Sequence, residues 1–201
     1  MKKWILLPVF YLICHNGYSQ NFGIKSNLLY DATSTINLGV EFALTDKLTL
    51  DVSGNFNPWS LPQKINSKGE VVEYAYIRHW MIQPEARWWF CEKFNGHFVG
   101  AHIHGGQFNM GGMSFLPAGW GDKGIQVKRY QGWLMGTGLS YGYHWIISSR
   151  LSLEFSLGAG YAFLRYDKYP KVASNKKEPN SFKMHYFGPT KAGISVIFMV
   201  F

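Results

Sequence analysis

The sequence predicts an all-β fold: an eight-stranded antiparallel transmembrane β-barrel with short periplasmic turns and long extracellular loops. Three observations carry this. Eight segments alternate apolar and polar residues with period two. Charged residues make up only 16% of the chain and aromatics 17%, while mean hydropathy is near zero, as expected where two opposed faces average out. Short and long connections alternate along the chain.

In chain order, residues 1–19 read as a cleaved signal peptide and 20–201 as the barrel domain. Lys2 and Lys3 precede the apolar run from Trp4 to Cys14, and Gly17 and Ser19 frame cleavage near Gln20. A lipoprotein reading at Cys14 meets Ile13 where a small residue is required. No stretch offers the roughly 18 apolar residues of a spanning helix. With Cys14 removed, Cys91 stands alone and no intrachain disulfide forms.

The strands are then expected at Asn21 to Tyr30, Thr35 to Leu44, Leu48 to Asn57, Trp80 to Phe90, Phe98 to Gly105, Tyr130 to Trp145, Leu151 to Leu164 and Tyr186 to Phe201. In the central hairpin, Trp80, Ile82, Pro84, Ala86 and Trp88 share one face, opposite Met81, Gln83, Glu85, Arg87 and Trp89. Pro84 donates no ladder bond, so a bulge or local break is expected there. The turns at Thr45 to Lys47, Cys91 to His97 and Ile146 to Arg150 are short. The connections Pro58 to Ile77, Asn109 to Arg129 and Tyr166 to His185 are long, and Asp31 to Ser34 is a short exception on their side. Both termini then fall on the periplasmic side of an outer membrane.

Periodicity alone does not say which face is inside, because a lipocalin-like soluble barrel has the same pattern inverted. Volume decides. Eight strands leave an interior just wide enough for side chains. The Phe, Leu, Trp and Tyr face is too bulky for it, whereas the Gly, Ser, Asn and charged face fits. The apolar face therefore points outward, toward lipid. Trp80, Trp88, Trp89, Tyr141, Tyr143, Trp145, Tyr161 and Phe201 fall near strand ends as interface girdles.

Several phrases occur together: Gln83-Pro84-Glu85 through Arg87-Trp88-Trp89-Phe90, Phe94-Asn95-Gly96-His97-Phe98-Val99-Gly100, Gly132-Trp133, Ser140-Tyr141-Gly142-Tyr143, and Leu153-Glu154 through Gly158-Ala159-Gly160-Tyr161. In these the chain resembles a family of Bacteroidetes-type outer-membrane β-barrels of unknown function. The resemblance implies fold and location, and an association with fimbrillin-like surface-fibre clusters. It carries no catalytic residues.

Seven ionisable residues fall on the inward face: Lys25, Glu41, Asp51, Glu85, Arg87, Glu154 and Lys191. Buried charges must be paired, so these are expected to form a charge network plugging the lumen. His102 and His104 share a face at a spacing that suits one metal ion, with His79, His144 and His185 as cross-strand neighbours. The remaining ligands are unspecified, and no metal site, cofactor or catalytic residue is assigned. Phe115, Leu116 and Trp120 are apolar for a Gly-rich surface loop, and mark either a ligand- or partner-binding loop or side chains that cap the barrel mouth or dip into the lipopolysaccharide. The net charge of +8 comes without a dense Lys/Arg run, and no nucleic-acid partner is expected. The expected function is a non-enzymatic outer-membrane protein, an accessory of surface fibres or other envelope proteins. Its other partners are outer-membrane lipids, lipopolysaccharide and the barrel-insertion machinery. A lipid A-modifying enzyme and a narrow channel are the alternatives.

Overall fold

The computed structural model describes residues 21–65, 71–112, 125, 128–169 and 178–200. The expected signal peptide, the loop residues Phe115, Leu116 and Trp120, and Phe201 lie outside the described residues.

Among the described residues the chain forms nine strands and one short helix: β1 (Phe22–Asn27), α1 (Leu28–Ala32), β2 (Ile36–Ala43), β3 (Leu48–Asn57), β4 (Ser60–Ile65), β5 (Val71–Trp89), β6 (Gly96–Gly111), β7 (Arg129–Ile146), β8 (Leu151–Tyr169) and β9 (Ser181–Val200). Each pairs antiparallel with its neighbours in the order β3-β2-β1-β9-β8-β7-β6-β5-β4, and β3 also pairs with β5. That last pairing, from Leu48↔Trp88 to Asn57↔His79, closes eight strands into a ring and leaves β4 as an appendage of β5.

Alternation sets the two faces. Leu139 and Leu157 are each 71% exposed and Ile103 is 61% exposed, whereas Arg87 and Trp89 are fully buried. The ring therefore carries its apolar side chains outward and its charges inward, the reverse of a water-soluble core.

The strands differ in length. β1 to β3 have 6, 8 and 10 residues, while β5 to β9 have between 16 and 20. On the side of the long connections, β5 to β9 thus continue as a wall beyond the ends of the first three strands. This revises the expected strand limits. Part of the expected loop Pro58 to Ile77 is the β4–β5 hairpin, and β6, β8 and β9 run several residues further than alternation predicts. Backbone pairing does not require alternation, so the strands continue where the two faces no longer differ in polarity.

Local details follow from single residues. The first strand stops at Asn27 rather than Tyr30. The Asn27 side chain accepts from the Leu29 amide at 3.1 Å, capping α1, and the same side chain bonds Ala192 O and Ile194 N on β9. At Pro84 there is a local break without a bulge: the β5–β6 ladder resumes from Ile82↔Gly105 to Glu85↔His102 in unchanged register. Register shifts lie elsewhere, where β8–β9 pairing passes from Gly158↔Lys191 to Ala159↔Pro189 and in the β4–β5 pairing between Pro62 and Ile65.

Candidate functional site

The ring interior is built in layers. At the end with the short turns, Trp89, Phe94, Phe98, Ile197 and Met199 pack together. Trp89 packs tilted against Phe98, ring centres 4.9 Å apart, and donates its indole N–H to Thr49 Oγ1 at 2.9 Å. Phe94 belongs to the β5–β6 turn, where a left-handed φ of 59° accompanies a ring packed over the end of the interior. Trp89 is therefore interior, not part of an outward girdle. At the strand ends the inward face turns apolar too, because large rings there close the mouth instead of competing for the crowded middle.

Above this apolar layer sit all seven inward charges, brought within bonding distance of one another. The register explains why. Glu41 lies opposite Asp51, and Asp51 opposite Glu85, which places three carboxylates in a row on neighbouring strands. Such a row is destabilising alone, and the cations reach across the lumen to it. The Arg87 guanidinium donates to Glu85 Oε1 (2.8 Å), Asp51 Oδ2 (2.8 Å), Glu41 Oε2 (2.7 Å) and Glu154 Oε2 (2.7 Å). Lys25 Nζ lies 3.0 Å from Glu41 and 3.0 Å from Asp51. Lys191 donates to Glu85 and lies 3.8 Å from Asp51. Four carboxylates thus share three cations, and uncharged donors complete the set. Thr49 Oγ1 donates to Glu41 Oε1 at 2.5 Å and Ser140 Oγ to Glu85 Oε1 at 3.1 Å. The Arg87 guanidinium rests 4.4 Å from the centre of the Phe98 ring, which joins the two layers.

Glycines make room for these long side chains, a feature that reading residue types alone misses. Lys25 stands opposite Gly39, Arg87 opposite Gly100 and Lys191 opposite Gly158. His102, His104 and Phe98 likewise face Gly138, Gly136 and Gly142. A Cβ at Gly39 would lie 2.7 Å from Lys25 Cγ, and one at Gly100 would lie 2.6 Å from Glu85 Oε1. The signal was present as the inward glycines, but it becomes legible only once the register is known.

The histidines do not converge on one point. His102 and His104 are neighbours with ring centres 5.7 Å apart, and His102 Nε2 meets Thr190 Oγ1 at 3.0 Å. His144 packs against Trp89 and Phe94 in the apolar layer, while His185 lies on the outer face against Tyr161. Among the described residues no group of three or more His, Cys, Asp or Glu side chains is poised to hold a metal ion. A space of about 30 Å³ beside the charge layer is bordered by Asn37, Gln83 and Ser156.

The chain belongs to the DUF3575 family, described as proteins of unknown function, whose model matches residues 5–200. No curated protein and no solved structure matches it.

Proposed function

We propose that this member of the DUF3575 family is a non-enzymatic protein of the Gram-negative outer membrane. On this reading residues 1–19 are a cleaved signal peptide, the eight-stranded ring spans the bilayer as a β-barrel, and both termini are periplasmic. The wall of β5 to β9 with its long connections then stands at the cell surface. There it serves surface fibres or other envelope proteins as an accessory.

The observation that carries the reading is the inverted polarity of the ring. Outward Leu38, Ile82, Ile103, Leu139 and Leu157 are all half or more exposed, except Ile82 at 49%. A soluble monomer rarely shows a contiguous apolar surface beyond a few hundred Å², and hydrocarbon removes that cost. The interior supports an anchoring role over conduction, since the apolar layer and the charge layer fill the ring in succession. β9 has 20 residues, whereas a tilted spanning strand needs about 9–11. The excess forms a platform rather than a span.

Deleting the gene tests the role. The expected outcome is loss of surface fibres or a leakier envelope, restored by the wild-type gene. A deletion strain with unchanged fibres and unchanged resistance to detergent contradicts it.

A further inference from the structure

The outer face of the long strands changes character at one level. Along β8 the outward residues Leu151, Leu153, Phe155, Leu157 and Phe163 are apolar, and the next outward position is Arg165. The register carries that level across five strands as Trp80, Gln107, Trp133, Arg165 and Lys183. One step further toward the long connections the row is Arg78, Asn109, Gln131, Asp167 and Ser181. An apolar band is thus bordered at once by aromatics, amides and three cations, and Asp167 is the one carboxylate in these two rows.

Arg165 and Lys183 stand directly opposite each other on neighbouring strands, both exposed. Neither has an ion-pair partner among the described residues. Like charges so placed repel, and an anion shared between them reverses the sign. Asp167 is engaged by Ser181, whose hydroxyl donates to it at 2.7 Å. Arg78 donates to Ser60 Oγ at 3.0 Å and lies 5.7 Å from the Tyr76 ring centre, both uncharged neighbours. A groove of about 560 Å³ opens beside these rows, with Arg78, Trp80, Gln107, Asn109, Gln131 and Trp133 in its wall.

We infer that this face binds the phosphorylated headgroup of a glycolipid in the outer leaflet, an inference that rests on the membrane-spanning reading. Arg78, Arg165 and Lys183 take the phosphate groups, by charge-assisted hydrogen bonds. The amides of Gln107, Asn109 and Gln131 meet sugar hydroxyls in the groove. Acyl chains lie along the apolar band below, beside Trp80 and Trp133, the ring types that favour this depth. The continuity of cations with an apolar band selects a lipid over a free anion, because a free anion uses only the former.

The test is native mass spectrometry of the purified full chain in detergent, offered bisphosphorylated lipid A or the same lipid dephosphorylated. The expected result is at least tenfold stronger retention of the phosphorylated lipid. The R78Q/R165Q/K183Q chain loses that preference, and K47Q, at an exposed turn on the opposite side, keeps it. Equal retention of the two lipids, or a preference unchanged in the triple variant, overturns the proposal. Displacement of the lipid by equimolar inorganic phosphate overturns it too, and assigns the cations to a free anion. Each sample is also run boiled and unboiled on a detergent gel. A chain that stays folded without detergent and shows no mobility shift contradicts the spanning reading, and the lipid site falls with it. A chain that shifts but shows no lipid preference contradicts the lipid site alone.

Discussion

Arg87 is the side chain whose loss the interior tolerates least. Its guanidinium donates to Glu41, Asp51, Glu85 and Glu154, and removing one partner from a buried ionic cluster leaves charge uncompensated. Arg87→Met keeps most of the volume and removes the charge. It is expected to cost about 3–5 kcal/mol, measured by urea unfolding of the folded chain in micelles. The same change at the exposed Lys47 is expected to stay within about 0.5 kcal/mol. Equal midpoints for the two variants contradict the network's role. Space is tested separately. At Gly100 an added Cβ lies 2.6 Å from Glu85 Oε1 and 2.6 Å from Ser140 Oγ, whereas at Gly54 the nearest atom is 4.0 Å away. Gly100→Ala is therefore expected to destabilise by about 1–3 kcal/mol, as overpacking does, and Gly54→Ala to have little effect in the same assay. A tolerated Gly100→Ala means that the charge layer is loosely packed.

At the scale of elements, what could be read from the chain depended on how strongly the two faces of a strand differ. In the middle of the ring the difference is sharp, and the seven inward charges are legible because each sits in phase with its strand's alternation. At the turn end the signal fades. Trp89 reads as one more aromatic among Trp88 and Phe90, although it is inside and Trp88 is 52% exposed. Phe94 gives no strand signal at all, since it reaches the core from a turn. At the other end, Leu28-Leu29-Tyr30 continues an apolar pattern, yet the Asn27 cap turns it into α1. The wall beyond the apolar band was invisible for the same reason: its strands are held by backbone pairing while their side chains are mixed on both faces. Cys91 probes which side each end faces. It is exposed in the β5–β6 turn, on the side proposed as periplasmic. A membrane-impermeant maleimide is expected to leave it unlabelled in intact cells and to label it after the outer membrane is permeabilised, with Cys91→Ser as the blank. Labelling in intact cells reverses the orientation.

For the whole molecule, the same polarity pattern explains both the closed interior and the proposed surroundings. Four carboxylates and three cations satisfy one another inside the ring, which leaves the apolar side chains facing out. A soluble monomer of this ring leaves them in water, whereas a bilayer, on the proposed reading, removes them from it. The lipid site, the surface wall and the accessory role all depend on that placement. The measurement that tests it most directly is fractionation of cells with the protein run boiled and unboiled on a detergent gel. Recovery in the outer-membrane fraction, with faster migration before boiling than after, is the predicted result. Recovery in the soluble fraction with one mobility under both conditions contradicts it, and then the apolar surface of the ring must be covered by protein instead of lipid.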